Sequence, residues 1–146
     1  MKKRRMPQPL FDTLLELTTA IAQPQALNET AVDTVAAEEA KVKLMALFHK
    51  HQEASTPDPF LTETVADFTS DPIEAVRLYR LAIEQCVAFP GEPLHTKRQG
   101  LIERLLELGR TSEARDELVH ARRAAFAAGD SEIIKELDAL AKQMAV

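Results

Sequence analysis

Helix-breaking residues are the feature of this sequence that most restricts its fold. The 146-residue chain has prolines at 7, 9, 24, 57, 59, 72, 90 and 93 and glycines at 91, 100, 109 and 129. Of these, only Gly100 lies inside a strongly helical pattern. Between the breakers the apolar residues recur every three to four positions, as in an amphipathic helix, and no convincing alternating strand pattern occurs. Good helix formers such as alanine, leucine and glutamate are abundant. The sequence therefore predicts an all-α fold.

The same breakers predict about seven helices. Their expected ranges are 9–23, 29–54, from 58, from 71, from near 93 to 109, 111–129, and from 130 or 131 to the end of the chain. Asn28 is the expected cap of the second helix. Asp58 and Asp71 each precede a proline, and such a carboxylate caps a helix whose first-turn proline has no amide hydrogen to satisfy. Asp130 has the same role for the seventh helix. Short loops between helices favour antiparallel neighbours.

Composition and charge limit the classes of function. Apolar residues make up 45% of the chain and charged residues 28%, which is ordinary for a globular protein, and the length suits a single domain over residues 9–146. The net charge of −5 is uneven, because Lys2–Arg5 is basic whereas the rest is acidic. We expect residues 1–8 to be a disordered basic tail and the acidic body to make nucleic-acid binding a poor fit.

Membrane and secretory segments are not expected. Asp12 and Glu16 interrupt the apolar stretch that follows the basic N-terminus, which argues against a signal peptide. No apolar run is long enough to span a bilayer, and the single cysteine suits a reducing compartment. These features together predict a cytoplasmic protein.

Residue patterns typical of catalysis or cofactor binding are absent from the sequence. His49 and His51 are two residues apart and so fall on different helix faces, unlike a zinc-binding pair. The glycines do not cluster as phosphate-binding loops require, and Cys86 is expected to be a buried small hydrophobic residue. We expect no enzyme activity, no cofactor and no metal.

A shift of 39 residues superimposes the fourth helix on the sixth. It matches Glu74 with Glu113, and it pairs the repeat positions Ala75, Tyr79 and Ala82 with Ala114, Leu118 and Ala121. Recurrences of this length are typical of stacked helical repeats. Small residues at these positions allow two helices to cross closely while the large residue fills the adjacent hole.

With Gly109 before them, Ala114, Leu118 and Ala121 follow the order of the second helix of a tetratricopeptide repeat, which this chain resembles over about residues 58–146. The period is longer than the 34 residues usual in that family. The resemblance implies antiparallel helix pairs stacked as a short right-handed α-solenoid. It divides the chain into an N-terminal helix pair (9–57), a first repeat (58–90), a second repeat (91–129) and a C-terminal capping helix (130–146). A generic helical bundle is the alternative.

The resemblance also implies a binding groove. Family members usually bind a peptide or protein segment on a concave face lined by the first helix of each pair. The positions that match this lining are Thr64, Asp67, Thr96, Gln99, Glu103, Leu106, Glu107, Lys135, Asp138 and Lys142, with Phe60 and Phe68 assigned either to the groove or, preferentially, to the core. Gln99, Gly100 and Glu103 replace the basic and amide residues of the carboxylate-clamp subclass, which argues against that specificity.

The mildly acidic groove favours a basic or amphipathic protein or peptide partner. The chain is therefore expected to be a non-catalytic protein-interaction module. A dedicated chaperone or inhibitor of one partner, and a ligand-sensing regulatory subunit, remain the alternatives, and formation of a homodimer is left open.

Overall fold

The computed structural model describes residues 6–22 and 31–145 of the chain, without the side chains of residues 31–33. Across these residues it contains seven α-helices, a short 3-10 turn at Cys86–Ala88 and no β-strand. The helices are α1 (Gln8–Ala22), α2 (Ala31–Gln52), α3 (Pro59–Asp67), α4 (Pro72–Gln85), α5 (His95–Glu107), α6 (Thr111–Ala128) and α7 (Ser131–Met144). The all-α prediction with seven helices is thus confirmed. Gln23, Asn28, Glu29 and the basic segment Lys2–Arg5, about which the sequence made predictions, lie outside the described residues.

Three aspartates begin helices as the sequence predicts. The carboxylate of Asp58 accepts a hydrogen bond from the backbone N–H of Phe60 at 3.0 Å, and Asp71 accepts from Ile73 at 3.1 Å. Each is followed by a proline in the first helical turn. Asp130 accepts from the N–H of Ile133 at 3.1 Å and so begins α7. These carboxylates satisfy amides that have no partner within the helix.

Two glycines end the longest helices of the C-terminal half. Gly109 follows α5 with a φ of +71°, and Gly129 follows α6 with a φ of +67°. At the end of α5 the N–H of Gly109 bonds to the carbonyl of Leu106 and the N–H of Arg110 to that of Leu105, at 3.0 and 2.9 Å. This hydrogen-bond pair defines a Schellman motif, for which glycine is the preferred residue because it has no Cβ.

The described residues fall into two compact units. One contains α1 and α2 and ends at Pro57, and the other contains α3 to α7 and begins at Asp58. The single-domain organisation stays a prediction. No helix in the described part of the chain is long and apolar enough to cross a membrane.

In the unit from Asp58 onwards, every helix packs against the next one along the chain, and α5 also packs against α7. Small residues lie fully buried along two of its helices, at Ala75 and Ala82 of α4 and at Ala114 and Ala121 of α6. Large side chains complete this core, among them Leu61, Leu78, Leu101, Leu105 and Leu137.

Candidate functional site

The groove residues predicted on α5 share one face of that helix. Thr96, Gln99, Glu103, Leu106 and Glu107 recur at three- and four-residue spacing, which puts them on the same side. The buried Leu101 and Leu105 lie on the other side of α5. Glu103 and Glu107 are exposed, whereas Thr96, Gln99 and Leu106 are half-buried. This face is therefore open and mainly polar.

Four carboxylates from three helices come together beside this face, and we call them the acidic face: Asp67 of α3, Glu103 and Glu107 of α5, and Glu136 of α7. The amide of Gln99 joins α5 to α7, because its Nε2 donates to Glu136 and also to Glu103 at 3.2 Å. Arg104 pairs with Glu107 at 3.2 Å and donates to the carbonyl oxygen of Thr69 at 2.8 Å. One guanidinium therefore adjoins four carboxylates, which leaves an excess of negative charge.

The pKa of Asp67 reflects this crowding. Burial of the carboxyl group raises the pKa of Asp67 from 3.8 to about 6, and the charges of Glu63 and Glu103 act in the same direction. The hydrogen bond from Tyr79 and the charge of Lys97 oppose this rise. Asp67 is exposed as a residue, so the desolvation concerns its carboxyl group, which faces Tyr79.

Glu103 is perturbed in the same direction. Burial raises the pKa of the Glu103 carboxyl, and the negative charges of Glu136 and Glu107 add to the effect. The hydrogen bond from Gln99 and the charge of Arg104 lower it. A cation placed beside this face would favour the ionised form of both Asp67 and Glu103.

Tyr79 and Gly100 hold the α3 end of the acidic face in place. The Tyr79 hydroxyl donates a 2.6 Å hydrogen bond to Asp67, and the tyrosine is only 4% exposed. Its ring lies directly over Gly100, where a Cβ would approach the Tyr79 Cζ to 2.4 Å. Burial, together with the neighbouring Asp67 carboxylate, raises the pKa of the Tyr79 hydroxyl and keeps it protonated as a donor. Gly100 is therefore required by the close approach of α4 to α5.

A buried ion cluster, which we call the Lys97 cluster, lies behind the acidic face. The fully buried Lys97 ammonium donates at 2.9 Å to Glu63, at 2.9 Å to Glu92 and at 2.8 Å to the carbonyl oxygen of Pro93. Burial alone lowers the pKa of Lys97, but the two carboxylates outweigh it and the net pKa is raised. The three ammonium hydrogens all have acceptors, which is the condition for burying such a charge.

Other predicted groove residues lie away from the acidic face or point elsewhere. Thr64 is 7% exposed and its hydroxyl donates to the carbonyl of Phe60 at 2.8 Å. Lys135, Asp138 and Lys142 are exposed on α7, where Asp138 accepts from Arg122 of α6 at 2.9 Å. The preference for Phe60 and Phe68 as core residues is wrong, since Phe60 is 37% exposed and Phe68 is half-buried.

The predicted repeat-packing residues are buried, with one exception. Ala75, Ala82, Ala114 and Ala121 have no exposed surface, and Tyr79 and Leu118 are 4% and 8% exposed. Gly109 is exposed, and a Cβ built on it would meet nothing within 4 Å. Gly109 therefore acts through its positive φ at the end of α5 rather than through packing.

Sequence reasoning missed Glu136 and the Lys97 cluster. Glu136 contacts Gln99 across a separation of 37 residues, whereas the 39-residue shift pairs Gln99 with Asp138. The stripe formed by Lys97, Leu101 and Leu105 at four-residue spacing is a signal that Lys97 faces the core. Cys86 is buried, as predicted.

Within residues 6–22 and 31–145, no group of three or more histidine, cysteine, aspartate or glutamate residues is arranged to hold a metal ion. Comparison of the chain with models of protein families, with curated proteins and with solved structures found no match. The tetratricopeptide resemblance rests on the residue pattern alone.

Proposed function

We propose that residues 58–145 form a tetratricopeptide-like, non-catalytic interaction module whose acidic face binds a basic or amphipathic segment of a partner protein. The observation that carries this proposal is the unbalanced charge of the acidic face. Its carboxylates lie close enough to perturb one another, and the pKa values of Asp67 and Glu103 are raised. A lysine or arginine side chain bound there would relieve the repulsion and would be attracted by the same field.

The packing of the helices supports the repeat interpretation. Contacts of α5 with α4, α6 and α7 are those expected of a first helix stacked between neighbouring repeats. Fully buried alanines at both copies of the repeat positions agree with close helix crossings. In such a stack α3, α5 and α7 are the first helices, and these three contribute the acidic face.

The half-buried Leu106 and the exposed Phe60 supply apolar surface on the same helices. A segment with alternating basic and apolar residues therefore fits better than a purely basic one. Electrostatic attraction would set the rate and the selectivity of binding, and the few apolar contacts would supply much of the affinity.

Titration of fluorescent peptides of equal length and basic, neutral or acidic charge tests the proposal. We expect the full chain to prefer the basic amphipathic peptide and to lose affinity as salt is raised. Glu103→Arg should weaken that binding more than tenfold, or about 1.4 kcal/mol. Asp116→Arg is the matched control, because Asp116 is exposed on α6 and the charge changes equally.

Equal affinity for all three peptides would contradict the proposal. So would equal losses in the Glu103 and Asp116 variants, because a general charge effect would then explain the binding. Circular dichroism of both variants checks that the fold is retained.

A further inference from the structure

The hairpin formed by α1 and α2 has a small core. Its buried side chains lie along one stripe of each helix, at Leu14, Leu17 and Ile21 in α1 and at Ala37, Ala40, Leu44 and Phe48 in α2. The unit that contains these helices ends at Pro57. Helical units of this size bury little apolar surface and are commonly completed by association.

Five large apolar side chains of this hairpin are exposed, by between 40% for Met45 and 69% for Val42. They are Phe11, Leu15, Val35, Val42 and Met45. In a helical projection, Phe11 and Leu15 lie on one flank of the buried stripe of α1, and the other three lie on one flank of the buried stripe of α2.

The two flanks belong to the same face of the hairpin. The opposite flanks meet in a shallow groove lined by Thr13, Glu16, Leu17, Lys43, Ala46, Leu47 and Lys50. Because Thr13 and Lys43 share that groove, the flanks bearing Leu15 and Val42 must share the other side. One face of the hairpin is therefore polar and grooved, and the other, which we call the apolar face, carries all five exposed side chains.

The apolar face is symmetric along α2. Positions 35, 38, 42, 45 and 49 alternate three- and four-residue spacings, the pattern of helices that pack on each other, and Val42 is at their centre. A two-fold axis at Val42 would place two copies of α2 antiparallel, with Val35 of one copy near His49 of the other. Glu38 and Lys41, which flank Val42, are paired at 3.1 Å and add no net charge.

We propose that the apolar face is the interface of a homodimer, in which two α1–α2 hairpins associate antiparallel about a two-fold axis at Val42. A second copy is the occupant that this self-complementary, uncharged stripe fits, since a two-fold interface uses the same patch twice. Helices of 15 and 22 residues give a face with a footprint of about 500 Å². Accessible area exceeds the flat footprint, so the contact approaches the roughly 800 Å² per partner of stable interfaces.

Light scattering on the full chain after size-exclusion chromatography tests the dimer. We expect twice the chain mass of 16.2 kDa. Val42→Glu sets two carboxylates against each other at the axis and removes two apolar contacts, so the dimer should weaken about a hundredfold or more. Ala46→Glu adds the same charge to the exposed, grooved side of α2 and should leave the dimer unchanged.

Cross-linking locates the axis independently of these variants. In a Cys86→Ser background, Val42→Cys should form an intermolecular disulfide under mild oxidation, whereas Ala46→Cys should not, because a disulfide needs Cβ atoms about 4 Å apart. A monomeric wild-type chain at all concentrations would overturn the proposal. A dimer that survives Val42→Glu, or one cross-linked through Ala46→Cys instead, would also overturn it. Should Val42→Glu lose its helical circular dichroism signal, the cross-linking pair decides the question.

Discussion

Replacing Gly100 by alanine should destabilise the protein although alanine is the better helix former. Gly100 lies inside α5, where alanine is ordinarily favoured over glycine by about 1 kcal/mol. Here the new Cβ would lie 2.4 Å from Cζ, 2.5 Å from Cε1 and 2.8 Å from the hydroxyl oxygen of Tyr79. The tyrosine ring is buried and its hydroxyl is bonded to Asp67, so it has little freedom to retreat.

The magnitude follows from these opposing effects. Overpacking of a core typically costs about 1–3 kcal/mol, and weakening the hydrogen bond to the Asp67 carboxylate costs roughly 1.5–3 kcal/mol if it is lost. After subtraction of the helix-propensity gain, we expect Gly100→Ala to lower the free energy of unfolding by about 1–3 kcal/mol. Urea titration followed by circular dichroism measures this difference, with an unchanged m-value expected if only stability is affected.

A second background makes the test sharper. Leucine at position 79 has no atoms at the places of Cζ, Cε1 and the hydroxyl. In the Tyr79→Leu background, Gly100→Ala should therefore change sign and stabilise the protein by about 1 kcal/mol. If Gly100→Ala stabilises the wild-type chain to the same extent, the close approach of α4 and α5 described above is refuted.

Two other predictions concern packing and pH. Ala121 is fully buried, so Ala121→Leu should overpack the crossing of α6 and cost about 1–3 kcal/mol in a urea titration; a change below about 0.5 kcal/mol would mean that the small-residue spacing is accidental. Because the folded pKa of Asp67 is about 6 against an unperturbed 3.8, the folded state binds more protons between these values, and the stability contributed by this group is lost as pH rises through that window. A shift of this size is worth ~3 kcal/mol at full value, which solvent screening of the exposed Asp67 reduces to about 1 kcal/mol. Asp67→Asn should therefore gain about 1 kcal/mol over wild type as pH rises from about 4 to about 7, and a difference that does not vary with pH would contradict the raised pKa of Asp67.

The helices could be predicted from sequence because their signals are local. Each capping aspartate lies within three residues of the amide that it accepts from, and Gly109 and Gly129 end helices through their own backbone conformation. The buried alanines followed from a spacing that repeats after 39 residues. These signals need no knowledge of how distant helices are placed.

The candidate site depends on contacts that no local pattern encodes. The sequence indicated Asp67, Gln99 and Glu103, but Glu136 became part of the acidic face only because α7 lies beside α5 with a register two residues away from the repeat shift. Gly100 resembled a weak point in a helix, and its reason is a tyrosine 21 residues earlier in the chain. Lys97 was overlooked because its two carboxylate partners lie on a separate helix and in a loop.

Chemical-shift mapping of the ¹⁵N-labelled chain during titration with the basic amphipathic peptide tests the proposed interaction most directly. The account predicts that the backbone amides near Asp67, Glu103 and Glu136 shift together, while those around Asp116 on α6 stay in place. Shifts confined to α6, or no shifts at peptide concentrations up to about 1 mM, a Kd that corresponds to only about 4 kcal/mol of binding, would contradict it.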